Sequence, residues 1–305
     1  MLILFDRGSV IGIKLIPLVY EIVAYLYPFL SVLLVFFWLP PLRAQGEIDI
    51  SRSGRQVSRV VALTSLSADM VVSLDPGVLV GVPGTSLTNN DSRFKGMKRI
   101  SSGRSQPSLE AIVALKPDLV VGADGFHSKI LNGLNGLGIA TLSLRIDRWN
   151  RLEEAAQLLR QRISNSDVLE QKLADICPAV SGVAKPSRSR VLILVGVSPK
   201  LSPSSDSWSG SLLARHGLIN VTQGLSGGSE FSGYITMSNE RLLTVDADTV
   251  LAVNPSGGAK QLRQLIRQFL PKVKSKNVVK MDYYGLINPG SLGSIASACK
   301  RLRAL

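Results

Sequence analysis

The stretch Gln106 to Gly122, QPSLEAIVALKPDLVVG, constrains the fold more than any other part of this chain, because it writes a helix start, a helix, a stop and a buried strand in one run. Ser108 is a good N-cap, and Leu109, Ile112, Val113 and Leu115 fall on one helical stripe filled in by Ala111 and Ala114. Pro117 disfavours helical geometry at Lys116, so the helix ends there. Asp118 to Gly122 then reads as a short apolar strand of the kind covered on both faces in a parallel sheet. Glu110 stands in the first turn, off the apolar stripe, and is expected to be exposed.

The same alternation runs through the rest of the first half. Arg59 to Leu63 reads as a strand, Ser67 to Leu74 as a short helix capped by Ser67 with Asp69 in its first turn, Val78 to Val82 as a strand, Leu131 to Leu137 as a helix and Ala140 to Leu144 as a strand. Strands separated by helices specify a parallel, doubly wound sheet. From Trp149 the period is helical, resuming after a break at Ser164 to Asp167, with no strand signal until Arg190. A second alternating series follows: strands at Arg190 to Gly196, Thr249 to Val253 and Asn277 to Met281, with helices at Leu212 to Arg215, Ser238 to Leu243, Ala259 to Phe269 and Leu292 to Arg303. Met237 to Val253 repeats the logic of the opening stretch: polar cap, acidic first turn, apolar helix, acidic turn, buried strand. Glu240 takes the place that Glu110 holds. Acidic residues favour helix N-termini in any case, so on residue type alone both glutamates are capping residues.

The expected fold is α/β, with two Rossmann-like lobes, each a central mostly parallel sheet flanked by helices, joined by a single long helix. The expected division is residues 1–44 as a signal peptide or N-terminal anchor, 45–56 as a linker, 57–148 as the N-terminal lobe, 149–187 as a helical connection and 188–305 as the C-terminal lobe. Leu30 to Leu39 is an uncharged apolar run ending at Pro40-Pro41, and Ala44 is the small residue required before a cleavage point, although Leu42 is bulky. Counted back to Leu15, the run approaches the roughly 20 residues that span a bilayer, so an uncleaved anchor is the alternative. No cysteine stands there for lipid attachment, and either reading places the remainder outside the cytoplasmic membrane.

Of the net charge of +13, all but +1 lies beyond residue 44, spread with short clusters at Lys272 to Lys280 and Lys300 to Arg303. Without a dense basic run interleaved with aromatics, the reading is a solvated basic surface and no nucleic-acid partner. Cys177 and Cys299 are too few for a disulfide framework. The reading favours Cys177 as a small buried hydrophobe, with a bridge to Cys299 the alternative. His127 and His216 are the only histidines, so a site of several imidazoles is excluded and no metal site is expected. No glycine-rich phosphate loop and no nucleophile-elbow spacing occurs, so the chain reads as a non-enzyme without a cofactor.

In open α/β sheets the ligand crevice lies beyond the strand C-termini. The loops Thr64 to Ser67, Thr85 to Phe94, Ser102 to Arg104, Ala123 to His127, Ser198 to Trp208, Phe231 to Tyr234, Asn254 to Gly258 and Tyr283-Tyr284 are placed there. The named crevice candidates are Ser65, Arg93, Arg104, Phe126, His127, Arg145, Trp208, Phe231, Tyr234 and Tyr283. Each has a structural alternative, such as lobe core for Trp208 and a local carboxylate for Arg104.

Three segments, RVVALTSLSAD (Arg59 to Asp69), SGRSQPSLEAIVALKPDLV (Ser102 to Val120) and LNGLGIATL (Leu134 to Leu142), together resemble the helical-backbone substrate-binding proteins of ABC importers for cobalamin, ferric siderophores and haem. The resemblance covers about residues 57 to 305. It implies two lobes bridged by one long helix, here Asp167 to Val183, with little hinge motion and a small molecule held between the lobes. It implies a monomeric periplasmic protein serving an ABC permease and its ATPase. It also implies that Glu110 and Glu240 dock onto arginines of the permease. Asp69 stands where the first helix often carries Glu. Arg93, Arg104 and Arg145 point to an anionic ferric chelate, whose oxygens take charge-assisted hydrogen bonds; cobalamin or haem is the alternative ligand, and a periplasmic enzyme or a sensor on the same fold the alternative class.

Overall fold

The computed structural model describes residues 57–102, 105–180, 189–225, 229–253, 259–271, 273–274 and 277–305. The first lobe carries strands β1 (Val60–Ala62), β2 (Leu79–Val82), β3 (Lys98–Arg99), β4 (Leu119–Ala123) and β5 (Ala140–Leu144) in the order β3-β2-β1-β4-β5, and every pairing is parallel. Its helices are α1 (Ser65–Leu74), α2 (Ser86–Asn89), α3 (Leu109–Val113) and α4 (Ser128–Gly136). The strand order reverses between β1 and β4, which opens a crevice at their C-terminal ends.

Helix α1 begins two residues earlier than the sequence suggests. Thr64 rather than Ser67 is its cap, with Thr64 and Ser67 forming a reciprocal capping box. Residues Ser65 to Val72 are all buried, because this helix is packed between the sheet and the helices that follow. Asp69 therefore lies mid-helix with only 1% of its surface exposed. Its carboxylate accepts from Arg93 Nη1 at 2.7 Å and from the backbone N–H of Leu292, in the second lobe, at 2.7 Å. A buried carboxylate is tolerated only when its charge and lone pairs are met in this way.

Two helices make the connection, α5 (Trp149–Ile163) and α6 (Val168–Ile176). The expected helix from Asp167 to Val183 is shorter: it stops at Ile176, because Pro178 disfavours helical geometry at Cys177. Residues 181–183 lie outside the described residues. The longer helix is α5, which buries Trp149, Leu152, Ala155, Ala156, Leu159 and Ile163. The second lobe has β6 (Arg190–Val195), β7 (Leu201–Pro203), β8 (Ile219–Asn220), β9 (Tyr234–Thr236), β10 (Thr249–Val253) and β11 (Val278–Met281). Its sheet runs β11-β10-β6-β7-β9, with β8 beside β6; β11, β10, β6 and β8 pair in parallel, whereas β7 and β9 are antiparallel. Helices α7 (Trp208–Arg215), α8 (Asn239–Thr244), α9 (Ala259–Phe269) and α10 (Leu292–Leu302) complete it.

The lobes share one core rather than meeting at a wet hinge. A single buried cluster runs from Val60 and Met70 through Leu152 and Leu169 to Trp208, Leu286 and Ile295. Trp149 on α5 stacks on Trp208 on α7 with ring centroids 6.1 Å apart, and Lys172 Nζ donates to Ser73 Oγ at 2.9 Å. Cys177 and Cys299 form a disulfide, with Cα atoms 5.4 Å apart, tying the end of α6 to α10. This corrects the reading of Cys177 as a lone packed hydrophobe: 122 residues of separation hid the proximity that the helix packing creates.

Candidate functional site

The crevice holds a cavity of about 500 Å³. Its floor is built from the strand ends of the first lobe: Leu63 to Ser67 after β1, Pro83 and Thr85 after β2, Gly122 and Ala123 at the end of β4 with Phe126 and His127 beyond it, and Leu144 and Ile146 at β5. Ser101, Ser105 and Pro107 add the loop before α3, and Tyr284 and Asn288 to Gly290 close it from the second lobe. This is where an open parallel sheet exposes the least committed backbone, so side chains there are free to serve a ligand.

Its polar character comes from hydroxyls and a helix end. Ser65 Oγ and Thr85 Oγ1 lie 2.6 Å apart, linking the loops after β1 and β2. The first turn of α1 borders the cavity and brings the partial positive charge of a helix N-terminus to it. His127 is buried, and its Nδ1 accepts the Ala123 N–H at 3.0 Å, which leaves the ring proton on Nε2. Burial lowers its pKa, so the ring is neutral at pH 7 and acts as a donor. Phe126 stands edge-on to it, centroids 4.8 Å apart, and leaves 64% of its surface exposed at the mouth.

The second lobe's wall is a turn held from behind. Tyr283 to Leu286 starts as helix, but Tyr284 and Gly285 leave helical geometry. Gly285 has φ +93°, and a Cβ there would lie 2.0 Å from the Ser294 carbonyl, so only glycine lets the turn close onto α10. Gly290, at φ +68°, supports the Tyr284 ring, which a Cβ would strike at 2.7 Å. Trp208 Nε1 donates to Gly285 O at 2.9 Å and Ser209 Oγ to Leu286 O at 2.7 Å.

Of the crevice candidates, Ser65, Phe126 and His127 line the cavity. Trp208 is buried behind the wall and positions it. Tyr283 stands next to the lining Tyr284, their rings 5.5 Å apart, and Tyr234 is half-buried in β9 with its pKa raised by burial and by Tyr283. Phe231 is exposed away from the lining, with 51% of its surface open. Arg93 and Arg145 are drawn off by carboxylates. Arg93 forks onto Asp91 at 2.5 Å and reaches Asp69, which hold its guanidinium firmly charged, and Arg145 pairs with Asp147 at 2.8 Å. Arg104 lies outside the described residues. The lining residues missing from the expected loops are Leu63, Pro83 and Gly122 at their edges, and Ser101, Ser105, Pro107, Leu144, Ile146 and Asn288 to Gly290. Asn288-Pro289-Gly290 carried a usable signal, a turn tripeptide following the last strand.

Glu110 and Glu240 occupy equivalent places on the two lobes. Each is fully exposed in the first turn of a short helix behind a serine cap, Ser108 on α3 and Ser238 on α8. The pKa of each is lowered by its own backbone N–H and by that serine. The equivalence continues beneath them. Asp118 accepts from the backbone N–H groups of Ser58 and Arg59 at the start of β1, and Asp248 from that of Arg190 at the start of β6. Arg59 Nη2 returns to Leu115 O at 2.7 Å, and Arg190 Nε to Asp246 O at 2.7 Å.

Comparison with known proteins agrees with this architecture. A family described as "Periplasmic binding protein" matches residues 60–282. The chain is 23% identical over 237 residues to the Fe(3+) dicitrate-binding periplasmic protein FecB of Escherichia coli (strain K12), covering 75% of this chain and 74% of that one. Among solved structures, an ABC transporter substrate-binding protein from Listeria monocytogenes EGD-e superposes with a TM-score of 0.63 at 22% identity, over 82% of this chain and 98% of the other. The periplasmic vitamin B12 binding protein BtuF of Vibrio cholerae does so with a TM-score of 0.62 at 16% identity, over 81% and 96%.

Proposed function

We propose, from the premise that this chain belongs to the periplasmic binding protein family, that it is the extracytoplasmic substrate-binding component of an ABC importer and captures an iron chelate between its lobes. The observation that carries this reading is the cavity at the switch point of the first sheet, closed by the Tyr284 to Gly290 wall of the second lobe. Hydroxyls, a neutral imidazole donor, two aromatic rings and a helix N-terminus suit a polar organic ligand with oxygen acceptors at its periphery. The similarity to the Fe(3+) dicitrate-binding protein favours iron within that class. The charge-assisted clamp once expected from Arg93 and Arg145 is replaced by hydroxyls and the α1 N-terminus, since both arginines are committed to aspartates. Cobalamin is the second reading, favoured by the superposition on BtuF.

In this function Glu110 and Glu240 dock the loaded protein on the permease, one carboxylate per lobe. No step of this role is catalytic. The protein acts as a monomer, exported by the segment before residue 45 or anchored by it.

Titration of the purified protein with ferric dicitrate, a ferric trihydroxamate, haem and cobalamin, followed by tryptophan fluorescence, tests the ligand. Saturable quenching by a ferric chelate is the expected result. Saturation by cobalamin or haem alone selects the other ligand, and no response to any of the four removes the reading.

A further inference from the structure

The segment from Thr249 to Met281 carries seven Lys and Arg and no Asp or Glu. Helix α9 arranges the middle of it. At 100° per residue Lys260, Arg263 and Arg267 fall within an arc of about 60° and span about 10 Å along the axis. All three are exposed, as are Gln261, Gln264 and Gln268 beside them, and as are Lys274 and Lys280 beyond the helix. The opposite face is fully committed: Leu262, Ile266 and Leu270 are buried against Val250, Ala252 and Leu242.

This stripe differs from seven arginines elsewhere in the protein and, unlike the scattered unpaired lysines of the first lobe, lies on one helix face. Arg93, Arg145, Arg148, Arg151, Arg160, Arg190 and Arg215 each pair with a carboxylate. Among the described residues Lys260, Arg263, Arg267, Lys274 and Lys280 make no ion pair. On the N-terminal side the nearest acids are spent elsewhere, since Asp248 holds the Arg190 backbone and Asp246 lies against the Arg190 side chain, and on the C-terminal side the nearest is Asp282, beyond the last strand. Unpaired like charges on one helix face repel one another, a cost that an anionic surface reverses.

We propose that the exposed face of α9 is an electrostatic contact for the anionic headgroups of the membrane over which the protein works. The chemistry selects this occupant. The stripe has no exposed aromatic ring on which bases could stack, which disfavours a single-stranded nucleic acid. It has no apolar residue free for insertion, because its hydrophobic face is in the core, so the contact is peripheral, reversible and salt-sensitive. Helix α9 also packs against α8, which bears Glu240, so the stripe flanks the surface proposed for the permease. The contact holds whichever ligand fills the cavity.

Flotation of the exported protein with vesicles of phosphatidylcholine alone, or mixed with phosphatidylglycerol, tests this. Two triple variants are compared with the wild type: Lys260→Gln with Arg263→Gln and Arg267→Gln, and, for equal loss of charge, Lys95→Gln with Lys98→Gln and Lys129→Gln on exposed positions of the first lobe. Circular dichroism melts confirm that both fold. The stripe variant is expected to lose about a hundredfold in partition onto anionic vesicles at low salt, while the control variant changes only a few-fold. Wild-type binding is expected to fall steeply with added salt. Equal losses in the two variants, or equal partition of the wild type onto both vesicle types, would overturn the assignment. So would wild-type indifference to anionic vesicles together with stripe-dependent binding to detergent-solubilised permease, which would make the partner an acidic protein.

Discussion

His216 shows how a single side chain inherits its chemistry from packing. It is 4% exposed at the end of α7, its Nε2 lies 3.6 Å from Cys177 Sγ, and its Nδ1 has no hydrogen-bond partner. Burial, then Arg303 and Arg215, push its pKa down to about 4 from the ordinary 6.5. Because the folded value is depressed, the unfolded chain takes up the proton first on acidification. The His216 contribution is therefore intact above about pH 6.5 and is lost as pH falls toward about 4, a loss of roughly 3 kcal/mol. His127 acts with the same sign. Denaturant midpoints at about pH 7 and about pH 4.5 should differ in the wild type and differ by less in His216→Asn, with the remainder carried by groups such as His127; an unchanged difference would mean that other groups carry all of the acid sensitivity. The sequence shows that this histidine exists but not that it is sealed, since Arg215-His216-Gly217 reads equally well as a surface helix end.

At the level of elements, the order of cap, helix and strand in the opening stretch and its echo was legible, although Val113 and Leu243, read onto the apolar helix faces, are exposed because these short helices bury one residue each. Helix α3, β4, α8 and β10 form where the caps, prolines and apolar runs put them, because each signal is local. The start of α1 was misplaced because Thr64 and Ser67 are both capping residues three apart, and the sequence does not say which one the sheet leaves in extended geometry. Strands β7, β8 and β9 carried no readable period, being two or three residues long and fixed by their partners. The matched Arg–Asp clamps under α3 and α8 make Glu110 and Glu240 a structural pair. Glu110→Ala and Glu240→Ala should each leave ligand affinity unchanged and lower import several-fold in a cellular uptake assay. A parallel loss of binding and import would reduce both to plain helix caps. Neither change should alter the denaturant midpoint measurably, because both side chains are in solvent.

On the scale of the molecule, the two lobes share one buried core, because α1, α5, α6 and α10 pack on one another across the division. The Cys177–Cys299 bridge closes a loop of 122 residues' separation over that core, and chain entropy sets its contribution at about 5 kcal/mol. Replacing both cysteines by alanine should lower the unfolding free energy by about that amount in denaturant titrations; a change within error would mean that the helix packing alone fixes the geometry. The sequence by itself determined the alternating units, the place of the crevice at strand ends and the paired acids, all of which follow from caps, periods and prolines within a few residues of one another. Only the tertiary structure decided that the cysteines join, that Asp69 is buried between the lobes, that Arg93 and Arg145 are withheld from the cavity and that Tyr284 rather than its neighbour faces it. These outcomes depend on which groups approach in space, and a carboxylate within reach outcompetes any distant role a residue type suggests.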